Sequence, residues 1–152
     1  MSSTTGRWLW RLRRLTGRDL RLLVEAQVEL IACQWAKWFR PTGELLAWSA
    51  EVPPRGESGG IDVRAVESVA WAVTRAAAYG IFRPRCLVRS LAIQRMLRRR
   101  GIDSSTLNIG VRIRDGAFEA HAWVELDGVV IGDSRAHVQT FTRMTDHRLV
   151  EL

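Results

Sequence analysis

The sequence predicts an α+β fold in which N-terminal helices pack on a small antiparallel β-meander. Two observations carry this. Up to about residue 100, apolar residues recur at three- and four-residue steps, the helical period. From residue 105 onward they alternate with polar ones and are punctuated by Asp115-Gly116 and Asp127-Gly128, the signature of strands joined by hairpins. A third observation sets the scale: 152 residues with 47% apolar content can bury one core of their own, which argues against disorder.

The first helix is expected over about 18–39, where Leu20, Val24, Val28, Ile31, Trp35 and Trp38 form one stripe, widened by Leu23, Cys33 and Phe39. That stripe is the expected buried face. Pro41 and Gly43 stop the helix, and a short helical piece follows over 43–50. Val52-Pro-Pro-Arg-Gly-Glu-Ser-Gly-Gly60 has linker composition. The expected organisation is therefore a helical region over 1–50, a linker over 51–60 and a core over 61–152, together one compact unit. Asp62 is placed to cap a helix over 63–79 whose Val63, Val66, Ala70, Val73 and Ala77 share one face and which ends at Gly80. After the loop Ile81-Phe-Arg-Pro-Arg85, a helix runs from Cys86 to about Arg100, with Gly101 as a left-handed stop. Strands are expected over 105–114, 117–126 and 129–133, the first burying Leu107, Ile109, Val111 and Ile113. The tail, with His137, Phe141, Met144, Leu149 and Val150, shows no clear period and is expected to add a strand or short helix.

Charge and cysteine usage exclude several classes. The net charge of +7 is almost wholly arginine, since Lys37 is the only lysine, and the arginines are scattered. Arg98-Arg99-Arg100 is the one dense run, and it falls where cations favour a helix C-terminus. A solvated face with helix-end charges therefore explains the charge better than nucleic-acid binding. Two distant cysteines make no disulfide framework, so a reducing cytoplasm is the expected compartment. The N-terminus lacks a signal-peptide core, and Arg21, Glu25, Glu29 and Lys37 interrupt the first helix too often for a membrane span. Without three or four suitably spaced ligands there is no zinc signature, and no cofactor or metal is expected.

Cys86, His121 and Asp133 are the candidate catalytic residues. Cys86 opens a helix, where unpaired N–H groups, the macrodipole and Arg83, Arg85 and Arg89 favour the thiolate and could hold an oxyanion. An imidazole at His121 would take the thiol proton, and a carboxylate at Asp133 would orient that imidazole. The hairpin register supplies a geometric condition. A three-residue loop, Leu126-Asp127-Gly128, sets Glu125 across from Val129 and His121 directly opposite Asp133. A two-residue loop sets His121 opposite Ser134 and turns Asp133 to the other face, so the catalytic reading requires the three-residue loop. Cys33 reads as a buried core thiol, His137 and His147 as surface or tail residues, and Trp123 as a shield or core residue.

Arg85-Cys-Leu-Val-Arg-Ser-Leu-Ala-Ile93, Leu97-Arg-Arg-Arg-Gly-Ile102, Ile109-Gly-Val-Arg112, Ala120-His-Ala-Trp-Val-Glu125 and Gly132-Asp133 occur in an order that resembles the transglutaminase-like superfamily of papain-type cysteine enzymes. Within it the sequence is most similar to the leader peptidases of lasso-peptide biosynthesis, in the stand-alone form without a fused recognition domain. Phe39-Arg-Pro41 and the helix at 63–79 add to the likeness. The resemblance implies a cysteine protease that removes the leader from a ribosomally made precursor peptide through a thioester. It implies Cys86 as nucleophile, His121 as general base and then acid, and Asp133 as orienting residue. It also implies a small leader-binding protein acting in trans and an ATP-dependent asparagine-synthetase-like cyclase that closes the macrolactam. Gln27 and Gln34, the glutamines upstream of Cys86, lie on the first helix and not at the papain-type oxyanion spacing, so no second oxyanion donor is assigned. Two other classes fit the same residues: thioester-based acyl transfer to an amine, and a non-catalytic scaffold of the maturation complex.

Overall fold

A computed structural model of the chain describes residues 15–50 and 61–144. The segment expected as a linker, the N-terminus and the tail bearing His147, Leu149 and Val150 lie outside the described residues. In chain order the elements are α1 (Gly17–Phe39), α2 (Thr42–Ala50), α3 (Val63–Tyr79), α4 (Cys86–Arg98), β1 (Ser105–Arg114), β2 (Ala117–Leu126), β3 (Val129–Ile131), α5 (Arg135–Val138) and β4 (Thr142–Arg143). Thr16 caps α1 in a reciprocal capping box with Asp19, and the Asp62 side chain accepts the Arg64 N–H at 3.0 Å to start α3. Gly101 takes φ +76° and lets the chain turn out of α4 into β1.

The sheet is antiparallel in the order β3-β2-β1-β4. The tail thus supplies both α5 and an edge strand, β4, which pairs Gly110 with Arg143. Both hairpins close on two residues at positive φ, Asp115-Gly116 (+52° and +76°) and Asp127-Gly128 (+49° and +79°), the twist that suits neighbouring strands.

Helix α4 is the hub. It packs against α1, α2, α3, β1 and β2, and it is buried continuously from Ser90 to Leu97. Its polar residues tolerate this because each finds a partner. The Ser90 hydroxyl donates to the Ala122 carbonyl (2.9 Å), Gln94 Nε2 donates to the Ser105 carbonyl (3.2 Å), and Arg95 pairs with Glu29.

Two sequence expectations are overturned here. The Leu20–Val24–Val28–Trp35–Trp38 stripe of α1 is exposed; of the expected face Cys33 is fully buried, together with Ala26, Glu29 and Leu30. Small residues at 26 and 33 let neighbouring helices come close. Glu29 belongs on that face because Arg95 and Arg99, from a helix far along the chain, neutralise it there. In β1, Ile113 is 79% exposed whereas Asn108 is buried. The strand is covered on both faces, with helices on one and Trp123 and Phe141 over Gly110 on the other.

Candidate active site

The placement of Cys86 follows from what α4 grips. Ser90 lies one helical turn beyond Cys86 on the same face and is held by Ala122; Gln94, one turn further, is held by Ser105, which pairs with Leu126. Helix α4 therefore advances along β2 in the strand's own direction. Its first turn is carried toward the His121 end. Arg89 ties the same end down by donating from Nη2 to the Gly132 carbonyl at 3.3 Å. Cys86 is half-buried, and Arg85 provides no side-chain cap. The first backbone bond of the helix runs from Arg89 N–H to the Arg85 carbonyl (3.2 Å), so the N–H groups of Cys86, Leu87 and Val88 have no intrahelical acceptor.

His121 and Asp133 are brought together directly. His121 Nε2 and Asp133 Oδ2 are 2.6 Å apart, with both side chains largely shielded. As a carboxylate, Asp133 accepts from Nε2–H, which leaves the lone pair on Nδ1. The other oxygen, Oδ1, accepts the Ser134 N–H at 2.7 Å, so the carboxylate is fixed at both ends.

This pairing is reached by a route the register count excludes. The β2–β3 loop has two residues, with Leu126 opposite Val129 and Val124 opposite Ile131. The required three-residue loop is absent, and continued pairing would turn Asp133 to the opposite face. Strand β3 instead ends at Ile131, short of the expected Asp133, and Gly132 takes φ +73°. That left-handed residue swings Asp133 back to His121. A Cβ at Gly132 would also come within 2.5 Å of Ile93 Cδ1, so α4 is pressed against this bend.

Three rings surround His121: Trp123 in its expected role as a shield, and Phe141 and His137, which escape sequence reasoning. Phe141 stacks on the imidazole (centroids 5.1 Å apart), His137 meets it edge-on (4.8 Å) and Trp123 lies along it (6.2 Å). His137, expected only at the surface, is exposed yet touches the ring. Gly110, directly opposite His121, makes the space: a Cβ there would lie 2.8 Å from Trp123 and 2.9 Å from Phe141. The one legible signal was the glycine itself, inside a strand where its lack of a side chain marks close approach. Arg112 caps the stack, its guanidinium 4.3 Å from the Phe141 ring, and pairs with Glu119 at 2.6 Å.

Not every candidate is joined. No hydrogen bond links the Cys86 thiol to His121 or Asp133; its position rests on the grip of α4. Cys33 is buried in α1, and burial, reinforced by the Glu29 charge, pushes its thiol up to about 12. Among the described residues no cluster of His, Cys, Asp and Glu could hold a metal, and no helix is long and apolar enough to cross a membrane.

The imidazole and the carboxylate are joined directly, and the thiol opens the helix that packs on the same strand. The sequence profile of the transglutaminase-like superfamily matches residues 29–146. The chain belongs to that superfamily. The match begins at residue 29, within α1, and runs past the last described strand. Among curated proteins, the microcin J25-processing protein McjB of Escherichia coli is 46% identical over 54 residues, a stretch covering 36% of this chain and 24% of that protein. The matched part is thus about a quarter of the relative's length. No solved structure matches the chain.

Proposed function

We propose that the chain is a cysteine peptidase that removes the leader from a ribosomally made lasso-peptide precursor, with Cys86 as nucleophile, His121 as base and Asp133 as orienting residue. The observation that carries this reading is the His121 Nε2–Asp133 Oδ2 bond, which leaves Nδ1 as the ring nitrogen with a lone pair to take a thiol proton. The likeness to the microcin J25-processing protein supports the substrate class.

In this reading His121 Nδ1 takes the Cys86 proton as Sγ attacks the scissile carbonyl carbon. The oxyanion is met by the orphan N–H groups at the start of α4. The C–N bond breaks, the imidazolium gives its proton to the leaving amine, and an acyl thioester remains on Cys86. Water then attacks the thioester, passing a proton to His121, and the thiol returns as the carboxylate product leaves. A small leader-binding protein would present the precursor, and an asparagine-synthetase-like cyclase would use the freed amine. The chain acts as a cytoplasmic enzyme without cofactor.

The test is mass spectrometry of a precursor peptide incubated with the chain and a leader-binding partner. Cleavage is expected with the native chain and absent with Cys86→Ala, whose thermal unfolding stays native-like. Retained cleavage by Cys86→Ala overturns the reading. Asp133→Asn should lower kcat by about 10²- to 10⁴-fold with the fold kept, because the imidazole loses its tautomer control.

A further inference from the structure

The apolar stripe on α1 is exposed, and its C-terminal end lies beside the turn before α4. Leu20, Val24, Val28, Trp35 and Trp38 are each at least 55% exposed. Contiguous apolar surface on this scale marks an interaction site more often than chance. At the C-terminal end of α1 the rings stack on one another: Trp35 meets Trp38 edge-on and Phe39 face-on, both with centroids 5.8 Å apart. Between this platform and the turn before α4 lies a groove of about 570 Å³, with Trp35, Trp38 and Phe82 as its aromatic walls.

Three cations line the same groove: Lys37, Arg83 and Arg85. None has a carboxylate partner among the described residues, whereas Arg95, Arg99, Arg100, Arg112 and Arg143 are all paired with glutamates. Positive charge is left uncompensated beside an aromatic floor, which is the complement of a peptide bearing carboxylates around a large apolar side chain. Arg85, which lines the groove, is the residue immediately before Cys86.

We propose that this groove is a substrate subsite that binds an acidic segment of the precursor peptide, seating one aromatic or large aliphatic side chain between Trp35, Trp38 and Phe82 while Lys37, Arg83 and Arg85 meet flanking carboxylates. The proposal rests on the peptidase reading for the identity of the chain it holds. Its test does not need turnover, so the two fail separately. Residues 35, 38 and 83 are exposed, and substitution there leaves the core intact.

The experiment measures fluorescence anisotropy of the full chain, native and Cys86→Ala, with a labelled decapeptide that carries one tryptophan between two glutamates on each side. Its lysine-for-glutamate and alanine-for-tryptophan counterparts are the controls. The acidic peptide should bind about tenfold or more tightly than either control, and more weakly as salt rises. Trp35→Ala and Arg83→Glu should each cost about tenfold, with circular dichroism unchanged. Equal binding of the three peptides overturns the proposal. So does tighter binding of a single-stranded oligonucleotide that displaces the peptide, since cations beside aromatic rings also suit nucleic acid. Self-association at micromolar concentration, abolished by Trp35→Ala, would assign the groove to a second copy of the chain and equally overturn it.

Discussion

At its C-terminal end α4 directs Arg95 and Arg99 onto Glu29 of α1, and Arg100 just beyond it grips Glu25 with two hydrogen bonds of 3.0 and 2.8 Å. Glu29 is 1% exposed, and Arg95 lies flat on the Trp48 ring at 3.7 Å. At its N-terminal end the same helix leaves Arg83 and Arg85 exposed without carboxylate partners among the described residues, and it presents Cys86 half-buried. The cysteines divide in the same way, since Cys33 sits one turn from Glu29 in the closed end. Identical side-chain chemistry is thus structural where partners enclose it and available where they do not. One end of α4 holds the fold, and the other keeps its charges and thiol open.

The thiols give the widest separation between the two ends. With the Cys33 thiol held at about 12 by burial, its thiolate fraction at pH 8 is on the order of 10⁻⁴. Iodoacetamide at pH 8 should therefore label Cys86 in the native protein and reach Cys33 only after denaturation, as read by peptide mass spectrometry. Equal native labelling erases the contrast. The sign of the linkage follows from the same shift. The native thiol stays protonated while the unfolded one ionises near its ordinary value, so this contribution is full below about pH 9 and is lost as pH rises toward 12. Cys33→Ala should remove that part of the alkaline decline in urea unfolding.

The clamp itself is tested by Glu29→Ala, which strands two arginine charges against the core. Breaking a buried pair on one side costs about 3–5 kcal/mol, and urea unfolding should show a loss of that size. A loss below about 1 kcal/mol would mean that the arginines escape to solvent and that the closed end is not closed.

Where the sequence was legible, local chemistry was sufficient. Alternation and Asp-Gly pairs located β1 and β2 to the residue, and Asp62 and Gly101 marked helix ends, because each signal acts over a few neighbours. The face of α1 was not legible. Glu29 reads as a solvent-side residue in any periodic count, and only Arg95 and Arg99, some seventy positions away, make it a core residue. His121 and Asp133 are neighbours as expected, but by a different loop from the one the register count requires. Counting residues assumes that the ladder continues, whereas Gly132 ends it and re-aims the chain. The rings around His121 were hidden for a similar reason, since Phe141 and His137 come from a tail with no period of its own.

Gly132 is consequently the sharpest backbone test of the open end. An alanine there must adopt φ +73° at a cost of about 1–2 kcal/mol, and its Cβ must displace the Ile93 side chain. Gly132→Ala should lower stability by about 1–3 kcal/mol and reduce cleavage further than stability alone accounts for, because Asp133 shifts from His121. Adding Ile93→Ala removes the contact but not the backbone strain. If the double variant regains full activity, packing on α4 and not the left-handed turn is what aims Asp133.

The smallest effect is expected at His137. Its ring is exposed and contributes little buried area, so His137→Ala should leave the urea midpoint almost unchanged. The edge-on contact with His121 is nevertheless one of the walls around the imidazole, beside the stacked Phe141, which His137 also meets edge-on. Losing an aromatic contact worth about 0.5–1.5 kcal/mol, if it is felt only as loosened orientation, lowers kcat about two- to tenfold. His137→Phe keeps the wall without the titratable nitrogen and should restore most of the rate. Failure of that rescue, with the fold intact, would assign His137 a proton-handling part instead of a packing one. An unchanged rate in His137→Ala would show that Phe141 and Asp133 suffice to hold the ring. Either result separates orientation from enclosure at the end of α4 where the fold gives up burial.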